Sequence, residues 1–236
     1  MCSQYDAQMG SLLADDMGLG KTAQVIAFML HLRDLGKLKP ALIVVPAVLI
    51  ENWVSEIRKF GPSDIYPYTH SGPQRYKSPD IINTYEVVIT TYETLSRDQM
   101  IMGQIHWAFM ACDETQKIKN FRTLAACAVK AMNADCRIAM TGTPVENRLG
   151  ELWSIVDYVQ PGLLKEYTWF KKEFEEPIQL HKENAEEKTA ELVDLINPIF
   201  LRRLKENVLV GLPEKYEKKY EVMPGSKGAL FSTLKI

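Results

Sequence analysis

The chain has 236 residues, which suits one large domain or a domain with an appendage. Its composition, 46% hydrophobic and 25% charged, excludes wholesale disorder, and its net charge of −2 excludes a positive field over the whole surface, so any nucleic-acid contact must be local. The four cysteines form no C-x-x-C pair, no apolar run approaches the roughly 20 residues of a membrane span, and the first residues lack a basic-then-apolar signal peptide, so we expect a cytosolic-type protein.

The first predicted element is a short apolar strand at Leu12–Leu13 that runs into a glycine-rich turn over residues 14–22. A strand-to-helix turn ending in Gly-x-Gly-Lys-Thr is typical of a phosphate-binding loop (P-loop), because its backbone N–H groups and the helix N-terminus face the anion. We expect Lys21 to reach the β- and γ-phosphates of a nucleotide and the Thr22 hydroxyl to ligate Mg²⁺. The full pattern has glycine at position 15, where this chain has Asp15. The predicted nucleotide-binding residues are Asp16, Met17, Gly18, Leu19, Gly20, Lys21 and Thr22.

Apolar runs typical of buried strands then alternate with amphipathic segments. Helices are predicted from the P-loop to near Gly36 and from Leu49 to Phe60, the second followed by Gly61 as its C′ residue. Strands are predicted at 41–45, 87–89, 108–112 and 137–140. Strands separated by helices imply a parallel sheet with right-handed crossovers. The sequence therefore predicts an α/β P-loop domain that ends near Pro161–Gly162.

The character of the chain changes after residue 162. Residues 163–200 are aromatic and then strongly charged, a pattern that predicts two or three helices with no strand between them. Residues 214–223 alternate weakly, as an exposed strand or extended segment would. A helical appendage is therefore expected to follow the α/β domain.

A carboxylate pair follows the strand predicted at 108–112. Asp113 and Glu114 come directly after it, where the carboxyl ends of parallel strands place ligand groups. Asp113 is expected to hold Mg²⁺, largely through water, and Glu114 to orient and deprotonate an attacking water molecule. A lone Asp-Glu is usually an acidic cap or a turn. The P-loop upstream and the strand immediately before the pair favour the catalytic interpretation.

Several segments of the chain, taken together, resemble the first RecA-like lobe of the SWI/SNF-type helicase-like ATPases of superfamily two. They run in the order of that family and cover nearly the whole chain, which makes the resemblance highly specific. The family tolerates position 15 without glycine, so the resemblance accounts for Asp15. The matching segments are Leu13–Thr22, Val45–Trp53, Thr90–Thr94, Asp113–Asn120, Met140–Trp153 and Phe200–Leu209, followed by Leu212–Pro213.

The resemblance implies a nucleotide site with ATP and Mg²⁺ as cofactors. Thr22 and Asp113 fit the metal site, and Glu114 fits the hydrolytic carboxylate. Gln116 takes the fourth place of the family's D-E-x-H box, so the implied catalytic residues are Glu114, Lys21 and Gln116. Thr115 stands where the family usually has alanine, a mild departure.

The resemblance also implies a partner, double-stranded DNA, held by its backbone and without reading of its sequence. Thr141, Gly142 and Thr143 belong to the segment that is implied to couple the nucleotide state to the grip on DNA. The residues implied to face DNA are Pro46, Thr91, Tyr92, Lys119 and Asn120.

The family's enzymes have two RecA-like lobes, with ATP in the cleft between them. Arginines of the second lobe stabilise charge on the transferred phosphoryl group. Residues 1–162 match the first lobe, 163–200 its helical protrusion, and 201–236 an extension leading towards a second lobe that these residues do not include. We expect the complete protein to be a DNA-dependent ATPase and double-strand translocase, and the 236-residue chain alone to hydrolyse ATP poorly.

Two other interpretations stay open at this point. One is a different P-loop ATPase, such as a ring-forming motor, although the segment at 141–144 and the Leu-Arg-Arg run argue against it. The other is a non-catalytic module that binds a nucleotide or a partner. Arg202 and Arg203 either brace the lobe against the appendage or meet a partner, and the sequence does not choose. We expect no membrane partner and a location with DNA, at the nucleoid of a bacterial cytoplasm or in a eukaryotic nucleus, while the oligomeric state is open.

Overall fold

The structure, a computed structural model, describes residues 1–142 and 148–208. The extended segment predicted at 214–223, and Thr143 of the coupling segment, lie outside the described residues. The strands are β1 (Ser11–Leu13), β2 (Ala41–Val45), β3 (Tyr68–His70), β4 (Val87–Thr91), β5 (His106–Trp107), β6 (Phe109–Cys112), β7 (Asn133–Ala134), β8 (Arg137–Met140) and β9 (Phe200–Leu201).

Seven of these strands form one sheet in the order β3-β4-β2-β6-β8-β1-β9, in which each pairing is parallel. The remaining two, β5 and β7, pair with each other. The predicted α/β fold with a parallel sheet is therefore confirmed, and the strands expected at 41–45 and 137–140 have the expected bounds. The edge strands β3 and β9 were not predicted, because β3 is polar and both strands are very short.

Helices and short helical turns connect these strands. The 3₁₀ turns are Ala47–Leu49, Thr115–Ile118 and Asn197–Ile199, and Lys171–Glu175 forms a π-helical turn. The α-helices are α1 (Cys2–Asp6), α2 (Lys21–Asp34), α3 (Ile50–Phe60), α4 (Pro79–Ile82), α5 (Tyr92–Arg97), α6 (Gln99–Met102), α7 (Leu124–Lys130), α8 (Leu149–Val159), α9 (Tyr167–Phe170), α10 (Glu176–Gln179), α11 (Ala185–Ile196) and α12 (Lys205–Val208). None of the helices within the described ranges is long and apolar enough to cross a membrane.

Helix α3 corrects one detail of the sequence analysis. Gly61 follows it, as predicted, but with φ −87° and ψ 163°, so it is extended and not a left-handed C′ residue. A Cβ on Gly61 would lie 2.6 Å from the carbonyl oxygen of Ile57. The glycine is therefore required by a close backbone approach, and its freedom to adopt positive φ is not used.

The core lies on both faces of the sheet, because successive strand residues point in opposite directions. Leu12 and Val44 pack in a cluster with residues of α5, α7 and α8, whereas Leu13 and Val45 pack with residues of α2 and α3. Burial on both faces explains why these strands read as continuous apolar runs.

The appendage interrupts the chain between two strands of the sheet. After α8, the helices and turns from α9 to α11 pack through Phe170, Phe174 and Leu192 on the same cluster as α8. The carboxylate of Glu175 is buried and accepts hydrogen bonds from the Gly150 N–H and the Tyr167 hydroxyl. The chain then returns to the sheet as β9, which pairs with β1. The boundaries predicted at 162 and 200 stay predictions.

One edge of the sheet gathers the motifs found in the sequence. Because β1, β2, β4, β6 and β8 are parallel, their carboxyl ends lie along the same edge. The P-loop, Pro46, Asp113 and Thr141 follow the ends of β1, β2, β6 and β8, and Thr91 is the last residue of β4. The sheet thus brings together motifs that lie up to 127 residues apart, and this edge is where a ligand is expected in such a fold.

Candidate functional site

The P-loop has the backbone geometry of an anion cradle. Gly18 and Gly20 adopt positive φ angles of 85° and 74°, and Gly20 is the N-cap of α2. Residues with side chains rarely adopt such angles, so both positions favour glycine. Lys21 Nζ donates hydrogen bonds to the carbonyl oxygens of Asp15 (2.6 Å) and Asp16 (3.3 Å). Its ammonium group is thus held by neutral backbone acceptors, which an anionic phosphate can replace.

A cleft of about 400 Å³ opens beside this loop. It brings the P-loop together with the carboxylate pair that follows β6, as the sequence predicted, and adds residues of the Ala47–Leu49 turn and α3 that were not singled out. The residues that line it are Met17, Gly18, Gly20, Lys21, Thr22, Ala23, Leu49, Asn52, Glu56, Asp113, Glu114 and Met140.

Asp113 is held at both carboxylate oxygens. Oδ2 accepts a hydrogen bond of 2.9 Å from the indole Nε1 of Trp53, and Oδ1 accepts one of 2.9 Å from the Glu114 N–H. Burial raises the pKa of the Asp113 carboxyl, and these two hydrogen bonds offset part of that rise. Trp53 is fully buried, and its contact with Asp113 is one that the sequence analysis did not reveal.

Glu114 and Gln116 are joined directly. Gln116 Nε2 donates a hydrogen bond of 2.7 Å to Glu114 Oε2, and Glu114 itself adopts a positive φ of 51°. Gln116 Oε1 is buried without a hydrogen-bond partner among the described residues. Thr115 is buried, and its hydroxyl donates to the carbonyl oxygen of Met140, which gives the departure from alanine a bonding role between β6 and β8.

The donor set of the cleft fits Mg²⁺. Thr22 and Asp113, a hydroxyl and a carboxylate, line the same space beside the P-loop. Mg²⁺ prefers oxygen ligands and is usually held by one or two protein groups together with substrate phosphates and water. In the described ranges no group of three or more His, Cys, Asp or Glu residues could hold a metal ion by itself.

Asp15, the departure from the P-loop pattern, is explained by a distant arginine. Its fully buried carboxylate accepts hydrogen bonds from the Arg203 backbone N–H, the Arg203 guanidinium and the Gln24 amide. Burial alone would raise the pKa of the Asp15 carboxyl, but these hydrogen bonds outweigh it and hold that pKa below its usual range. Arg203 thus supports the P-loop, and this contact differs from the brace between the lobe and the appendage that the sequence left open.

The residues expected to face DNA have different surroundings. Lys119 and Asn120 line a second cleft, of about 420 Å³, together with Arg122 and Arg148. Lys119 also pairs with Glu151 at 3.5 Å. This cleft therefore carries three cationic side chains, and the carboxylates of Glu151 and Glu175 line it as well.

At the other predicted DNA contacts the structure leaves less side chain available. Pro46 is half-buried at the end of β2. Thr91 is 6% exposed, and its Oγ1 accepts a hydrogen bond from the Thr94 N–H at the start of α5. The Tyr92 side chain does not have the exposure expected of a DNA contact, because its ring is 2% exposed and its hydroxyl donates to the carbonyl oxygen of Asp113. Its side chain supports the carboxylate pair and does not face solvent.

The segment for which a coupling role is expected begins, at Thr141 and Gly142, beside the P-loop. The Thr141 N–H donates a hydrogen bond of 3.0 Å to the carbonyl oxygen of Leu13, and Thr141 is buried. A Cβ on Gly142 would lie 3.3 Å from Met17 Cγ, so the segment passes close to the P-loop.

The chain is similar to known proteins along most of its length. Residues 1–229 match the SNF2-related domain. YwqA of Bacillus subtilis (strain 168), which is named for an ATP-dependent helicase/translocase activity, is 41% identical over 220 residues. The Zorya protein ZorD of Escherichia coli O139:H28 is 38% identical over 232 residues. These alignments cover 91% and 88% of this chain but only 24% of YwqA and 21% of ZorD.

A solved structure has the same fold. The SWI2/SNF2 ATPase core of Sulfolobus solfataricus in complex with double-stranded DNA is 37% identical and superposes with a TM-score of 0.78. The match covers 87% of this chain and 42% of that core. This chain thus corresponds to less than half of the ATPase core in that complex.

Proposed function

The chain belongs to the SNF2-related domain family, and on that premise we propose that it forms the first ATP-binding lobe of an ATP-driven double-stranded DNA translocase. The observation that carries the proposal is the cleft where the P-loop faces Asp113 and Glu114. Family membership argues against the ring-forming class of P-loop ATPases. The similarity of YwqA, named as a helicase/translocase, and of a core solved with double-stranded DNA supports the choice of DNA as the partner.

In the proposed ATP site, the chain's own groups divide the work. The N–H groups around Gly18 and Gly20 and the ammonium of Lys21 bind the phosphates, and Thr22 and Asp113 hold Mg²⁺. Bound Mg²⁺ supplies positive charge that offsets the negative charge of the phosphates. Glu114 accepts a proton from the attacking water at Oε1, while Gln116 holds the other carboxylate oxygen.

The DNA contact is proposed at the same edge of the sheet. Lys119, Arg122 and Arg148 give the second cleft its positive charge, which suits the phosphate backbone and carries no sequence information. We further propose that residues 163–200 act as a protrusion of this lobe. The location that follows is the nucleoid in a bacterium or the nucleus in a eukaryote.

Binding of a fluorescent ATP analogue to the chain tests the nucleotide site. Lys21→Ala is expected to lose most of the affinity, because no other described side chain amine lines the cleft. Lys39→Ala is the matched control, since Lys39 is exposed and precedes β2 at the opposite edge of the sheet. Equal affinity of Lys21→Ala and the parent chain would refute the proposed site.

The rate of ATP hydrolysis tests the proposed enzymatic activity, and it is measured on the whole protein that contains such a lobe. We expect ATP hydrolysis to be stimulated by double-stranded DNA and abolished by Glu114→Gln, with ATP binding retained. Hydrolysis that persists in Glu114→Gln would assign the water-activating role to another residue.

A further inference from the structure

The segment that follows the appendage runs along the first three residues of the P-loop, Ala14 to Asp16. Beyond the pairing of β9 with β1, the Ala14 N–H donates to the carbonyl oxygen of Leu201 at 2.7 Å, and the Asp16 N–H donates to that of Arg203 at 3.1 Å. In the other direction the Lys205 N–H donates to Asp16 Oδ2 at 3.0 Å. Residues 201–205, called here the return segment, therefore lie alongside the start of the P-loop, bonded to it at Leu201, Arg203 and Lys205.

Side chains add a second layer to this contact. The Arg203 N–H donates to Asp15 Oδ1 at 2.9 Å, and its guanidinium donates to both carboxylate oxygens of Asp15. The same guanidinium donates to Gln24 Oε1 at 2.6 Å. Gln24 lies in the first turn of α2, and its Nε2 donates a hydrogen bond to Asp15 Oδ2. The start of the P-loop, the start of α2 and the return segment thus meet at one carboxylate.

The contact leads directly to the phosphate-binding group. The carbonyl oxygen of Asp15 is the acceptor, at 2.6 Å, of the Lys21 ammonium. The φ angle of Asp15 is not positive, so its backbone does not require the glycine of the usual pattern. A buried carboxylate at this position is costly unless it is paired, and the observed pair is Arg203, 188 residues further along the chain.

We propose that Arg203 is a positioning residue of the ATP site and that the return segment and the bound nucleotide are energetically linked through Asp15. This inference rests on the proposed function, since it requires ATP at the P-loop. Correct placement of the return segment holds Asp15 and therefore the loop that carries Lys21. By reciprocity, phosphate binding at the loop stabilises the return segment. The lobe then transmits the presence of ATP to the part of the chain that leaves the sheet after β9.

Two simpler explanations make different predictions. If the pair only stabilises the fold, its removal lowers the melting temperature and leaves ATP affinity unchanged. If Arg203 acts only by its charge, Arg203→Met weakens ATP binding, whereas Asp15→Asn removes a negative charge near the phosphates and strengthens it. Positioning predicts weaker binding in both variants, and a double variant no weaker than either single one, because the two residues act as one unit.

The experiment measures the dissociation constant of MgATP, and the melting temperature, for the chain, for four single variants and for the double variant of Asp15 and Arg203. Arg203→Met and Asp15→Asn are expected to raise the dissociation constant by at least about fivefold, and Arg203→Lys, which keeps the charge but loses the planar fork, by less. Arg202→Met is the matched control, since the exposed side chain of Arg202 makes no hydrogen bond or ion pair within the described residues. Unchanged affinity in Arg203→Met, or tighter binding in Asp15→Asn, overturns the proposal.

Hydrogen exchange on the unmodified chain tests the same linkage without substituting Asp15 or Arg203. MgATP is expected to slow exchange of the Arg203 and Lys205 amides, which donate to Asp15 and Asp16. Lys21→Ala with MgATP should show no such slowing. Exchange that is unchanged in the parent chain while ATP is bound overturns the linkage alone. A parent chain that fails to bind ATP, or Lys21→Ala that binds like the parent, overturns the proposed function and the inference together.

Discussion

Replacing Trp53 by phenylalanine tests the contribution of Mg²⁺ to ATP binding separately from that of the P-loop. The substitution keeps an aromatic ring in the core but removes the N–H that donates to Asp113 Oδ2 at 2.9 Å. A hydrogen bond to a charged group contributes about 1.5–3 kcal/mol, which corresponds to roughly 10- to 100-fold in an equilibrium constant. Loss of a partner that orients a metal ligand typically costs a similar factor in metal affinity, about 10- to 100-fold. We therefore expect Mg²⁺ to improve ATP binding about tenfold less in Trp53→Phe than in the parent chain.

The assay compares ATP affinity with Mg²⁺ and with a chelator for each protein. In the chelator, Trp53→Phe should bind ATP as the parent does, because the P-loop is not altered. Trp107→Phe is the matched control, since Trp107 is equally buried but donates its N–H to the carbonyl oxygen of Met102. Both variants should unfold more easily, but only Trp53→Phe should change the response to Mg²⁺. An unaltered response in Trp53→Phe would refute the assignment of Trp53 to the support of Asp113.

Two further substitutions test the packing and electrostatics of the lobe. Burial alone would raise the pKa of Asp98, but hydrogen bonds from Arg75, Lys77 and His70 outweigh it and hold that pKa well below its usual range. Asp98→Asn should therefore lower the free energy of unfolding at pH 7 by about 3 kcal/mol, or the melting temperature by roughly 6–12 °C. Because the folded pKa is depressed, this contribution is present above the unfolded value of about 3.9 and fades as the pH falls below it, so melting curves whose difference did not narrow in acid would contradict the assignment. Gly10→Ala should destabilise the lobe by about 1–3 kcal/mol, since its methyl group would collide with carbonyl oxygens of α8 and β8, and an unchanged melting temperature would show that the backbone there yields.

Local patterns predicted most of the geometry of the candidate nucleotide site, because each motif is short and its geometry is decided nearby. Gly18 and Gly20 adopt the positive φ angles that a phosphate cradle requires, and β2 and β8 have the bounds that their apolar runs indicated. The rule that parallel strands share a carboxyl edge then sufficed to bring Asp113 to the P-loop. Side-chain direction was harder to foresee. Tyr92 follows a strand at the correct edge, yet its ring turns into the core and its hydroxyl bonds to Asp113.

The sequence by itself therefore determined the class of fold, the P-loop and the carboxylates that face it, since these depend on residue type and on spacing within single elements. Only the tertiary structure decided what supports them. The partner of Asp15 is Arg203, 188 residues away, and the donor to Asp113 is Trp53, 60 residues earlier. No local pattern encodes such pairs, because they exist only after the parallel sheet has brought β9 beside β1 and α3 against the end of β6.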